Sequence, residues 1–162
     1  MKNLILFTLL LFALVSCNNE KKSSTQATLS NTKTAEQQEE AYTLFKNTCY
    51  ACHSITSKSH DEIIAPPMIA VKKRYLMANP QKEDFVNAIV NFSKEPTEQK
   101  ALMFGAVQQF KVMTNLNYKE EDLKKIATYI YENDIEKPVW FDAHFNEQRG
   151  GRMGAGRQGN NN

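Results

Sequence analysis

The chain has 162 residues, enough for one ordinary domain and too few for two sizeable ones once targeting and tail segments are set aside. Lysine plus arginine number 20 against 18 acidic residues, and a formal charge of +2 is far below that of a dedicated phosphate-backbone binder, so no nucleic-acid partner is expected. Hydrophobic content of 41% suits a packed globule, but one dense apolar block at the start must be removed before the core is counted.

That block, Leu4 to Val15, follows a single lysine and is too short to span a bilayer, so residues 1–16 read as a signal peptide that sends the chain out of the cytoplasm. It ends Leu14-Val15-Ser16-Cys17, which resembles the lipobox of bacterial lipoproteins. The resemblance implies cleavage before Cys17 and acylation of that residue, and more than one acyl chain is what stable anchoring in a bilayer requires. Residues 17–35 then form a polar, Ser/Thr/Asn/Lys-rich linker with too little apolar surface to order itself, expected to be flexible.

From Glu36 to Thr48 the sequence predicts a helix, with acidic residues in the first turns and Ala41, Leu44 and Phe45 on a common side. It runs into Cys49-Tyr50-Ala51-Cys52-His53, the C-x-x-C-H spacing that reads as c-type haem attachment. Two thiols on one turn reach the two vinyl groups of a single haem, and His53 presents an imidazole to the iron from the same face. A thiol redox pair expects a preceding strand and a zinc site expects a second ligand pair, and the sequence offers neither context.

After a polar loop, Pro66 and Met68 stand where monohaem class I cytochromes c place a proline and, two positions on, a large apolar residue; the chain resembles that family over about residues 36–133. The resemblance implies an all-α, cytochrome c-like domain around one covalent haem c, expected over residues 36–137. It also implies that the Pro66 carbonyl accepts the Nδ1 hydrogen of His53. Helices are predicted after Asn79-Pro80 (Phe85, Ala88, Ile89, Phe92), from Pro96-Thr97 (Met103, Ala106, Val107, Phe110), and from a capping box of Asn117 with Glu120 (Leu123, Ile126, Ala127, Ile130) up to Pro138. In that family the first and last helices cross, which the resemblance assigns to Ala41 and Phe45 against Ile126 and Tyr129. Ala41 replaces the family's usual glycine, so a looser crossing is expected.

The second axial ligand is expected to be Met113, in an irregular stretch 60 residues after His53 and just before the final helix, where the family places its ligand. Met68 fits the apolar slot, Met77 a helix end, Met103 an amphipathic stripe and Met153 a Gly-rich tail. Thr114 stands where many relatives have proline, which predicts a less constrained loop. His60 sits in a polar loop and is expected to be exposed. Residues 138–148 form an aromatic extension containing Trp140 and His144, for which covering exposed core comes before partner docking or haem ligation by His144. Residues 149–162 form a Gly/Arg/Asn tail expected to be disordered. Lys72, Lys73 and Arg74 are the one notable basic cluster, expected to be a solvated helix face or, second, a docking patch.

His/Met ligation keeps such a haem low-spin with a raised potential. The expected function is therefore a membrane-tethered single-electron carrier in a bacterial respiratory chain, not a stand-alone catalyst. Membrane-bound redox complexes are its expected donor and acceptor, and acylated Cys17 holds it to the bilayer, periplasm-facing in the cell envelope. The alternative is a haem module with a labile sixth ligand that binds a small gas or peroxide, and a third class is a thiol–disulfide protein without haem.

Overall fold

The structure, a computed structural model, describes residues 22–147, with side chains from residue 34 onward. The signal peptide 1–16, the Cys17 lipidation site and the tail 149–162 lie outside the described residues. The chain divides into two units, 1–37 and 38–162, each taken by itself. Within the first, the backbone is helical from Lys22. This differs from the flexible linker expected up to residue 35: the stretch from Lys22 to Ala35 has neither glycine nor proline, so nothing in it interrupts a helix even though it has no apolar stripe.

The second unit is all-α, with no strand among the described residues. Helix α1 is Lys22–Cys49, and a single 3-10 turn, His60–Glu62, follows it. Next come α2 (Met68–Ala78), α3 (Lys82–Lys94), α4 (Phe104–Phe110) and α5 (Glu120–Glu132), and residues 141–147 form α6. Helix α5 buries Leu123, Ile126, Ala127 and Ile130, the i, i+3, i+4, i+7 stripe read from sequence, against α3, which buries Phe85, Ile89 and Val90. Phe45 of α1 is fully buried in the same core and meets Tyr129 of α5 at 5.8 Å between ring centres, with Tyr42 at 5.4 Å from that ring. Helices α1 and α5, the pair expected to cross, therefore meet through the predicted Phe45 and Tyr129, with Ala41 buried as well.

Helix α2 was not among the helices expected from apolar spacing, because Lys72-Lys73-Arg74 interrupts the pattern. Pro66-Pro67 sets its start, and it buries Met68 and Tyr75. Its basic cluster is also more than a solvated face: the Lys72 ammonium donates to the Asn133 carbonyl at 2.6 Å and Arg74 Nε to the Leu102 carbonyl at 2.7 Å. The helix expected from Pro96 is reduced to one turn, closed by the N–H groups of Lys100 and Ala101 on the carbonyls of Thr97 and Glu98. Arg74 then takes the Leu102 carbonyl, and α4 starts only at Phe104.

The capping box before α5 does not form. Asn117 has φ 54° and its N–H is held by the Asn115 side chain at 2.8 Å, so the position before the helix passes to Lys119. Three acidic residues in the first turn, Glu120, Glu121 and Asp122, satisfy the positive end of the helix dipole instead. Beyond α5 the extension folds back: Pro138 and Phe141 are buried, and the Trp140 indole donates to the Ser57 carbonyl at 3.1 Å.

Candidate haem site

Helix α1 ends at Cys49, and the carbonyl of that residue accepts from the N–H of both Cys52 (3.3 Å) and His53 (2.9 Å). These two bonds wind the five-residue motif into a turn that returns His53 towards the helix end. Neither Cys49 nor Cys52 is in a disulfide; Cys52 is exposed, and burial pushes the Cys49 thiol, before any attachment, up to about 12.

The ring of His53 is fixed from behind. Its Nδ1 lies 2.5 Å from the Pro66 carbonyl oxygen, so Nδ1–H donates and Nε2 carries the lone pair. Burial lowers the His53 pKa and outweighs the opposing pull of that carbonyl, which keeps the imidazole neutral and able to ligate. The expected partnership of Pro66 with His53 is thus present as a hydrogen bond.

Cys49, Cys52, His53, Pro66 and Met113 all line one cavity of about 270 Å3. Its other walls come from the apolar stripes of α2, α3, α4 and α5, and among the described residues no aspartate or glutamate faces it. Met113 sits in the irregular stretch between α4 and α5 and is partly exposed. Two further methionines reach the cavity: Met68 is buried in the core, and Met103 stands just before α4 rather than on the helical stripe expected for it.

The Met113 loop is held at both ends. Lys111 closes α4 with φ 69° and ψ 179°, a region almost reserved for glycine, and its N–H reaches the Val107 carbonyl at 2.9 Å. Two residues beyond Met113, the Asn115 amide donates to the Lys94 carbonyl at the end of α3 at 2.8 Å. Asn115 therefore supplies an anchor one position after Thr114, where a proline was missing from the expected pattern.

The set fits a c-type haem: two thiols and a neutral imidazole on one side, a thioether-bearing loop on the same cavity, and apolar walls without a carboxylate. Bound there, the group supplies a one-electron iron couple, and the chain supplies attachment, ligands and exclusion of water. A model of the cytochrome c-550 domain matches residues 16–146. The chain belongs to the cytochrome c-550 domain family. It is a c-type cytochrome and carries a covalently bound haem c with its iron, and the chemistry of the family is haem-based electron transfer. No curated protein and no solved structure matches the chain. The family match takes in the aromatic extension, which the motif resemblance had not covered.

One part of the site escaped the sequence. Glu136, four residues past α5, accepts hydrogen bonds from the hydroxyls of Tyr42 and of Tyr50, the second residue of the attachment motif, at 2.6 Å from Tyr50. This carboxylate ties the chain after α5 to the haem-attachment turn. Only the tertiary fold brings it there, and no local pattern marks it. His60 is half-buried, not exposed as expected, because the extension stacks His144 on it at 4.1 Å between ring centres.

Proposed function

We propose that this cytochrome is a membrane-tethered, monohaem single-electron carrier of class I type in a bacterial respiratory chain, with haem attached through Cys49 and Cys52 and ligated by His53 and Met113. The observation that carries the reading is the His53–Pro66 hydrogen bond in a cavity that Met113 also lines. The bond orients the ring and strengthens the iron–nitrogen bond, as such outer partners do. The anchored loop supports a sixth ligand that stays in place, and with both axial positions filled, electron transfer needs little rearrangement. Anchoring by Asn115 favours this over a haem module with a labile sixth position. Export and acylation of Cys17 place the domain on the periplasmic face of a membrane, where membrane-bound redox complexes serve as donor and acceptor. No helix among the described residues is long and apolar enough to cross a bilayer, so tethering in this reading rests on the lipid.

The test compares Met113→Ala with Met103→Ala in haem-loaded protein. Met113→Ala is expected to give a high-spin haem with a lowered potential, and Met103→Ala to remain low-spin. The opposite pattern would move the ligand to Met103, and an unchanged spectrum in both would remove Met113 and Met103 alike from the iron.

A further inference from the structure

A second cavity, of about 1050 Å3, lies against the first. Pro66, Leu102, Met103, Ala106 and Phe110 line both, so the groove adjoins the haem cavity. One side of the groove is the α2 face bearing Ala70, Lys73, Arg74 and Met77, and the other is the aromatic extension. The extension side is rigidly built: Trp140 stands edge-on to both His60 (5.6 Å) and His144 (5.7 Å), which stack on each other.

Three features define what the groove can hold. Its size is just above the usual range for small-molecule sites, about 300 to 1000 Å3, and its lining is mainly apolar. At its edge Met77 and Phe104 are 77% and 65% exposed, large apolar side chains on adjoining elements that a ligand's hydrocarbon would cover. Among the described residues the charge is of one sign: no aspartate or glutamate lines it, and its permanent charges are Lys73 and Arg74. Arg74 spends only Nε on the Leu102 carbonyl, which fixes the guanidinium and leaves four N–H donors without a protein partner among the described residues. The Lys73 ammonium lies 5.2 Å over the Phe145 ring, at the mouth between α2 and α6.

We propose that this groove binds one acidic amphiphile, with its apolar chain along Met77 and Phe104 and a carboxylate or phosphate head at Arg74 and Lys73. A fixed guanidinium matches such a head through paired hydrogen bonds. The chain's own tail is a poor occupant: residues 149–162 carry three arginines, the sign of the groove itself, and five glycines, with Met153 as their one large apolar side chain.

Full-length haem-loaded protein titrated with laurate below its micelle threshold tests this, with lauryl phosphate as the second head group and dodecanol as the uncharged control. Trp140, the chain's one tryptophan, reports occupancy through its emission, and calorimetry gives the stoichiometry. Saturable one-to-one binding of either acid is expected, with dodecanol weaker by about tenfold or more, the loss of a charge-assisted hydrogen bond. Arg74→Gln should weaken laurate by a similar factor. Since Arg74 also joins α2 to the loop before α4, Lys73→Gln and the groove-filling Ala70→Phe are the second variants, each checked for an unchanged haem spectrum. Equal binding of dodecanol and laurate, or laurate binding unaffected by all three substitutions, would overturn the proposal. So would a signal that responds to anionic phospholipid vesicles and to neither monomeric acid, which would make the face a membrane contact.

Discussion

Replacing Glu136 by glutamine removes the charge that fastens the chain after α5 to the attachment turn. Tyr50 donates to one carboxylate oxygen at 2.6 Å and Tyr42 to the other. A hydrogen bond to a charged group contributes about 1.5 to 3 kcal/mol, but water reaches the half-buried Glu136, so about 1 kcal/mol is appropriate for the Tyr50 branch. Glutamine keeps one acceptor and presents an amide NH2 to the other hydroxyl, so Glu136→Gln is expected to lose about one such bond. Tyr50→Phe removes the same bond from the other side, and the double variant should be little worse than either single one. Urea unfolding of the haem-loaded proteins, followed by far-UV circular dichroism, measures all three. Acid titration adds a second check. Burial pulls the Glu136 pKa up, but the hydroxyls of Tyr42 and Tyr50, aided by Lys46, outweigh it and hold the carboxyl below its ordinary range. A depressed folded pKa stabilises above the unfolded value and is lost as pH falls through the folded one, so wild type and Glu136→Gln should converge at the acid end. Fully additive losses, or a difference that persists unchanged in acid, would refute the reasoning.

Lys111→Gly should stabilise the protein by about 1 kcal/mol by relieving a left-handed backbone at the start of the Met113 loop, and a lowered urea midpoint would contradict that strain. At the alkaline end, stability should fall as pH rises through 10. Hydrogen bonding to Glu136 holds Tyr42 at about 12 and burial holds Tyr75 at about 12, so the unfolded chain releases protons that the folded one keeps. Thermal unfolding midpoints that stay flat from pH 10 to about 12 would remove that linkage. Cys17→Ser should release the protein from the membrane fraction of cells, and retention there would end the lipid-anchor reading.

What could be read from the sequence was what short spacing encodes. The C-x-x-C-H motif and the stripes of α3 and α5 are local patterns, and each lies where that pattern put it; the Pro66 carbonyl partner of His53 came from the resemblance to class I cytochromes c and is present as a hydrogen bond. Helix α2 was legible only as a helix face at Lys72–Arg74 and a helix end at Met77, without an apolar stripe or bounds, because three consecutive basic residues break the apolar period, and two of them are spent on backbone carbonyls 61 and 28 residues away. One of those distant acceptors goes with another difference, since Arg74 on Leu102 accompanies the late start of α4, whereas the lost capping box has a local cause, the Asn115 side chain holding the Asn117 N–H. Glu136 was invisible for the same reason, since its two tyrosines lie 94 and 86 residues earlier in the chain. The loss of proline after Met113 predicted a loose loop, but a side-chain amide on a neighbouring helix end can hold a loop as a proline does, and no spacing rule announces it.

The most direct test of the account is the visible spectrum of the protein made with c-type maturation factors, recorded oxidised and reduced, with and without carbon monoxide. A covalently bound, low-spin haem that carbon monoxide leaves unchanged, with the weak red band of methionine-to-iron ligation when oxidised, is the predicted result. Ready binding of carbon monoxide to the reduced protein would contradict it, because the sixth position would then not be held by Met113.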